Sequence, residues 1–313
     1  MTLPTRSLAD RQVSAIGLGC MPLSWMKMMD HRDRALATIH HALDRGINFL
    51  DTANVYCPTW DEMGHNELLI AEAFRTYTGP ANLADIFVAT KGGLTRSDGD
   101  VWGRDASPDG LRAACEKSLR DLGVDQIDLY QLHRQDPRYS IVEQMQVLKS
   151  LHDEGLVRWV GLSNFNLAEL DVAIEILGTP SDGILASVQN EFSPRCRLDA
   201  DVLDRCVETG LAFLPWSPLG GSTQAHEIGS HYAEFEFVGR ELGFTAQEIV
   251  LAWLLELSPA MIPIPSATRI ETVDSILRSF DVRLDDDQFR RLQATTPLPE
   301  SIHKDEYPRS RLR

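Results

Sequence analysis

Four residues carry groups that can hold and pass a proton, and each stands at or just past the end of a short apolar run. Phe49-Leu50-Asp51-Thr52 closes one run with a carboxylic acid, and Ala53-Asn54-Val55-Tyr56 brings a phenol into the loop that follows. Val88-Ala89-Thr90-Lys91 ends a second run in an ammonium, and Tyr130-Gln131-Leu132-His133 ends a third in an imidazole. Each has an ordinary structural reading taken alone: an aspartate caps, a strand-end lysine snorkels, a single histidine sits satisfied in a core. Together, at one rim of three neighbouring strands, they point to one shared pocket.

The elements that must position them alternate along the chain. Strand candidates are 13–19, 48–52, 86–91, 127–133, 158–164, 185–190, 212–217 and 261–264, short and rich in Val, Ile, Leu or Phe, as parallel strands buried on both faces should be. Helical patterns fall between them at 33–44, 108–122, 141–154, 167–177 and from the Thr245 cap to about 257, with two more near 270–279 and 285–294. Ser107-Pro108 reads as an N-cap followed by proline at the first helical position, and Gly46, Gly123, Gly155 and Gly178 as stops. Eight strand-then-helix units predict an α/β fold, a (β/α)8 TIM barrel, with a short N-terminal β-hairpin (5–8 and 11–13 around Ala9-Asp10) and an additional C-terminal helix. The alternative, a doubly wound open sheet, announces itself with GxGxxG after the first strand; here Gly17-Leu18-Gly19 runs into Cys20-Met21-Pro22. No break in composition divides residues 1–313, so one domain is expected. The longest stretches without periodicity, 20–30, 92–107 and 220–230, follow strand ends, where barrel enzymes build their sites.

Composition narrows the class. Forty-six acidic against 30 basic residues leave a formal charge of −16, which disfavours a general surface for nucleic acid or anionic membrane. The basic tail at Arg309, Arg311 and Arg313 reads as a solvated terminus. Five cysteines without a CxxC pair or zinc spacing suit reduced thiols, and no metal site is expected. Without a secretory leader pattern or the roughly 18 apolar residues of a membrane span, a soluble, cytoplasmic protein is expected. His40-His41 lies within a helical pattern and is adjacent rather than i,i+4, which does not suit a metal. His65-Asn66-Glu67 opens a helix and reads as a loop-capping element. Trp25, Trp60 and Trp102 lie in strand-end loops and are candidates for lining a substrate pocket.

The motifs FLDTANVY (49–56), ATKGG (89–93), LYQLH (129–133), VGLSNF (160–165), SVQNEF (187–192), PWSPLGG (215–221) and IPIPSATR (262–269) resemble those of the aldo-keto reductase family, in family order and over nearly the whole chain. The resemblance implies that Tyr56 is a general acid protonating a carbonyl oxygen, that Lys91 and Asp51 form a buried pair beside it, and that His133 orients the carbonyl. A free tyrosine titrates near pH 10, too weakly acidic for efficient donation near neutrality. A neighbouring ammonium is expected to lower that value, with Asp51 keeping the ammonium charged. Relatives with glutamate at the histidine position tend to reduce carbon–carbon double bonds, so histidine favours a small-molecule carbonyl substrate.

A hydride must come from a cofactor, since no side chain supplies one. The resemblance implies NADPH. Ser163, Asn164 and Gln189 resemble residues that hold the nicotinamide carboxamide, Trp216 the aromatic stacked on the ring, and Ser217, Leu219 and Gly220 the pyrophosphate loop. Cys20 and Met21, after the first strand, are expected to line the same pocket. Ser266 and Arg269, at the start of a helix, resemble the 2′-phosphate site. The family commonly places an acidic-Asn pair against adenine; here the place reads Asp274-Ser275, which leaves NADH open beside NADPH. A second reading is a regulatory protein of the same fold that binds NADP(H) and turns over slowly, like the family's ion-channel β-subunits. A long basic or cysteine-bearing extension before the first strand would favour it, and only about a dozen residues stand there. Sequence leaves the carbonyl substrate and the oligomeric state open.

Overall fold

A computed structural model describes residues 3–221, 225–298 and 301–302, and the basic tail at 309–313 lies outside them. The strands are β1 (Thr5–Leu8), β2 (Arg11–Ser14), β3 (Leu18–Gly19), β4 (Phe49–Asp51), β5 (Phe87–Gly92), β6 (Leu94–Ser97), β7 (Val101–Arg104), β8 (Ile127–Leu132), β9 (Val157–Ser163), β10 (Leu185–Gln189) and β11 (Ala212–Phe213). The helices are α1 (Arg32–Asp44), α2 (His65–Thr76), α3 (Pro108–Leu122), α4 (Ile141–Asp153), α5 (Leu167–Leu177), α6 (Ala200–Thr209), α7 (Ile228–His231), α8 (Ala233–Leu242), α9 (Ala246–Leu257), α10 (Ile270–Arg278) and α11 (Asp286–Gln293).

Seven strands form one parallel sheet in the order β11-β10-β9-β8-β5-β4-β3. An eighth stave closes it into a barrel through single parallel bridges, Phe213 to Met261 on one side and Gly19 to Ser266 on the other. The run predicted as a strand, 261–264, is held by isolated bridges and not by a continuous ladder, for a chemical reason. Neither Pro263 nor Pro265 has an N–H, so toward β3 both only accept, from Gly17 (2.9 Å) and Gly19 (3.0 Å). The predicted first strand, 13–19, divides as well. Val13 and Ser14 belong to β2, which pairs antiparallel with β1, and only Leu18 and Gly19 join the barrel.

Alternation then decides which side chain faces where. Leu8 and Val13 from β1 and β2 pack with Phe49, Phe87, Ala89, Leu129, Leu214, Ile262 and Ile264 in a separate cluster within the barrel. Leu50, Val88 and Tyr130 belong to the larger cluster between barrel and helices. Capping boxes open α4 (Ser140/Glu143), α5 (Asn166/Glu169), α9 (Thr245/Glu248) and α11 (Asp285/Gln288), each stabilising its helix start by about 1 kcal/mol. Gly123 stops α3 at φ 70°, in the left-handed region where a glycine costs least. Among the described residues, no helix is long and apolar enough to cross a membrane.

Candidate active site at the carboxyl ends of the strands

Phe49 and Asp51 share a face of β4, Phe87, Ala89 and Lys91 a face of β5, and Leu129 and Gln131 a face of β8. The apolar members fill the barrel, so the polar ones arrive at its upper end together. Lys91 is fully buried, and its Nζ donates to Asp51 Oδ2 (2.6 Å), to the Thr52 carbonyl (2.8 Å) and to the Tyr56 hydroxyl (3.3 Å). The His133 ring meets the half-buried Tyr56 ring edge to face at 5.7 Å. The four groups separated by up to 82 positions in the chain, from 51 to 133, thus meet in one place.

Electrostatics there corrects one expectation. The phenol of Tyr56 lies above the ordinary tyrosine value: burial raises it, and the opposing pull of Lys91 does not offset that. Burial alone would lower Lys91, but Asp51 and Tyr56 beside it hold the ammonium above its ordinary value. Lys91 is therefore a firmly charged donor.

Lys91 occupies one oxygen of Asp51 and leaves the other to neighbouring amides. Asp51 Oδ1 accepts from Gln189 Nε2 (2.8 Å) and, more weakly, from Gln131 Nε2 (3.3 Å). Gln131 was not singled out in the sequence, although its place two residues before His133 on an alternating strand was a usable signal. A β-carbon on Gly161 would stand 2.8 Å from Gln131 Cγ and 2.7 Å from the Ser187 hydroxyl, so the space for Gln131 depends on that glycine. Arg134, only 6% exposed, is a second group that went unremarked, and its charge pulls the Tyr56 phenol down.

On the opposite wall, Ser163 Oγ donates to the Gln189 carbonyl (2.9 Å), and Asn164 Nδ2 donates to the His133 carbonyl (3.1 Å) and to Ser163 Oγ (2.9 Å). Trp216 Nε1 donates to Asn164 Oδ1 (3.1 Å), which links the indole to this amide row. Asn164 and Ser217 hold left-handed backbone, at φ 65° and 50°, a strain that clusters at functional sites. Leu219 packs on the core, while Gly220, at φ 80°, has no atom of the described residues within 4 Å of where a β-carbon would stand. Ser266 and Arg269 are exposed, the latter at the N-cap of α10 with its Nε on Thr272 Oγ1 (3.0 Å).

Three of the expected cofactor residues are turned elsewhere. The Cys20 thiol is closed off from solvent and faces the Leu18 carbonyl, although Met21 beside it is 38% exposed. Asp274 pairs with His41 of α1 (2.9 Å) and with Arg45 just past its end, and the Ser275 hydroxyl donates to Glu248 of α9 (2.9 Å), so both serve helix packing. Of the loop aromatics, Trp60 and Trp102 are exposed, and Trp102 carries the Arg96 guanidinium over its ring at 5.2 Å. Trp25 is half-buried under Lys27. His40 contacts the Ala73 carbonyl (2.8 Å).

Known proteins carry the same plan. An uncharacterized oxidoreductase of Schizosaccharomyces pombe is 32% identical over 92% of this chain and 88% of its own length. A probable aldo-keto reductase of Glycine max is 28% identical over 92% and 86%. The structure of a glycerol dehydrogenase from Gluconobacter oxydans superposes with a TM-score of 0.78 at 25% identity, covering 94% of this chain and 97% of that one. An aldo-keto reductase from Klebsiella pneumoniae, solved with NADPH, superposes at 0.77 and 23% identity over 98% and 100%. The family model for aldo/keto reductases matches residues 15–296, and the chain belongs to that family.

Proposed function

We propose that this oxidoreductase uses NADPH to reduce an aldehyde or ketone to the alcohol, with Tyr56 as general acid. The observation that carries the reading is the chain of contacts from Asp51 through Lys91 to the Tyr56 hydroxyl, with the His133 ring against Tyr56. The residues opposite suit the cofactor's chemistry. Ser163, Asn164 and Gln189 offer amide and hydroxyl groups to a carboxamide, Trp216 offers a ring face, and the open space at Gly220 admits a close backbone approach to a diphosphate. Arg269 at a helix N-terminus suits a 2′-phosphate. Asp274 and Ser275 are engaged with the end of α1 and with α9 and contribute less to adenine, which both cofactors share; NADH, lacking the 2′-phosphate that Arg269 suits, is the weaker second cofactor.

Bound NADPH supplies the hydride. The chain's own work is to hold the carbonyl oxygen between Tyr56 and His133, to pass the Tyr56 proton to that oxygen, and to stabilise the resulting phenolate with Lys91. Gln131, Gln189 and Asp51 keep Lys91 charged and fixed. Run backwards, with a phenolate as base, the same groups oxidise an alcohol, the direction named for the Gluconobacter glycerol dehydrogenase. A single cytoplasmic domain acting on a small carbonyl compound fits five free, buried cysteines.

The test is Tyr56→Phe. NADPH binding, followed by fluorescence, should stay near normal while turnover falls at least about a hundredfold. Turnover close to wild type across a broad aldehyde and ketone panel would remove Tyr56 from the mechanism.

A further inference from the structure

Asn66, at the start of α2, is fully buried and uses every polar hydrogen it has. Its backbone N–H donates to the Tyr56 carbonyl (3.1 Å). Its side-chain Oδ1 accepts from the Thr52 hydroxyl (2.6 Å), and its Nδ2 donates to the Cys20 carbonyl (2.9 Å) and to Ser24 Oγ (2.7 Å). The carbonyl of Cys20 can only accept, which fixes the orientation of the amide.

What those partners do next is the point. Thr52 presents its carbonyl to Lys91 Nζ at 2.8 Å. The N–H of Cys20 donates to the Asp51 carbonyl at 2.9 Å. Tyr56 is touched directly. The backbone N–H of Asn66 is therefore a single bond from Tyr56, while its side-chain amide, through Thr52 and Cys20, is one residue removed from Lys91 and from Asp51. The loop between Tyr56 and α2 is closed twice, by Gly64 N–H to the Asn54 carbonyl (2.7 Å) and by Asn66 itself. His65 adds a contact between its Nδ1 and the same Ser24 hydroxyl (2.8 Å).

We infer that Asn66 is a positioning residue for the reaction, setting the distance between the Tyr56 hydroxyl and Lys91 by tying the Tyr56 loop to the ends of the first and second barrel strands. The inference rests on Tyr56 being the proton donor. An ordinary helix cap would satisfy N–H groups of its own helix; the side chain of Asn66 reaches across to Thr52, Cys20 and Ser24 instead. Misplacement of a reacting group by a fraction of an ångström is costly in rate without being costly in substrate affinity.

Three proteins test it: Asn66→Ala, Thr52→Val and the double variant, each assayed for NADPH binding, kcat, KM and the pH profile of carbonyl reduction. In Asn66→Ala, kcat should fall at least about tenfold while KM and NADPH binding stay within about twofold. Loosening the loop weakens the pull of Lys91 on the phenol, so the alkaline limb of kcat should move to higher pH, a shift that general loss of stability does not produce. Thr52→Val should act in the same direction but less, and the double variant no more than Asn66→Ala, because both cut one path. Should Asn66→Ala fail to fold, the kcat and pH limb of Thr52→Val decide alone. Unchanged kcat, an unmoved limb, or losses that multiply in the double variant overturn the inference. Tyr56→Phe run alongside separates the two claims: if it is inactive while the Asn66 and Thr52 variants are normal, only the positioning role falls.

Discussion

Gln189 Nε2 stands 2.8 Å from Asp51 Oδ1, on the oxygen that Lys91 leaves free, so the residue expected to hold a cofactor amide also completes the shell of a buried carboxylate. Both oxygens of Asp51 accept only from donors: Lys91 on one, Gln189 and Gln131 on the other. An amide in its place must turn an NH2 toward one of those donors, and Lys91 loses its counter-charge at 0% side-chain exposure. Asp51→Asn is therefore expected to destabilise the fold by about 3–5 kcal/mol, the usual cost of leaving one member of a buried pair alone. Urea unfolding measures it, and a loss below about 1 kcal/mol would show that Lys91 sheds its proton at little cost.

The position of the Tyr56 phenol makes a claim about pH. In the proposed mechanism the proton donor is the neutral phenol, and burial holds its titration above the ordinary value near 10. Reduction should then keep its proton donor across the neutral range, and kcat should decline only above about pH 10. Carbonyl reduction followed from pH 6 to the limit of stability locates the limb. A limb centred near pH 8, with substrate saturating, would mean that Lys91 outweighs burial in the working complex.

Glu67, one residue beyond Asn66, has a different pH signature. It is fully buried, with Thr90 donating to its Oε1 at 2.5 Å, and burial pushes its carboxyl up to about 7 against the pull of the Thr90 and Ser118 hydroxyls. Asp121 raises it a little and Lys117 lowers it. Since the folded value lies above the ordinary 4.5, the stability contributed by the neutral acid is fully present below 4.5 and is lost as pH rises through 7. The loss is on the order of 3 kcal/mol, at the usual conversion of about 1.4 kcal/mol per pH unit. Glu67→Gln removes the titration, so its advantage over wild type should grow between pH 5 and 8 in urea melts. Parallel stability profiles for the two proteins contradict this account of Glu67.

How much of this was legible in the sequence follows from what each signal is made of. Asp51, Lys91 and His133 stood out because a polar residue ending an apolar run is conspicuous, and alternation then fixes its face. Helix α3 could be bounded at both ends by Ser107-Pro108 and Gly123, and α5 at its end by Gly178, because these are local chemistry. The eighth stave was read as a regular strand over 261–264, yet isolated bridges hold it, because its prolines are apolar in pattern but donate nothing to a ladder. The β6–β7 hairpin within 92–107 had no alternation of burial strong enough to read: only Leu94 of its eight strand residues is buried. Asn66 was read as a cap, since a polar residue at a helix start is ordinary, and only the fold brings Thr52 and Cys20 to it. Asp274 was set against adenine by the family resemblance, but packing against α1 gives it nearer partners in His41 and Arg45.

Arg269 and Asp274 make opposite predictions because of that packing. Arg269 is exposed at the N-cap of α10 and, among the described residues, its guanidinium bonds only locally, to Thr272, so it is available to a phosphate without breaking a tertiary contact among them. A charge-assisted bond of this kind contributes about 1.5–3 kcal/mol. Arg269→Ala should therefore raise KM for NADPH roughly ten- to hundredfold and leave KM for NADH, which has no 2′-phosphate, close to unchanged. The NADPH effect should shrink with added salt, as expected for an exposed charge. Asp274 is 44% exposed and paired with His41 and Arg45, so Asp274→Ala should cost stability by less than about 1 kcal/mol and leave the two KM values in their wild-type ratio. Steady-state kinetics of both variants with both cofactors decide the matter. If Asp274→Ala shifted the NADPH-to-NADH ratio more than Arg269→Ala, the phosphate site would have to be placed nearer the α1–α10 contact than the start of α10.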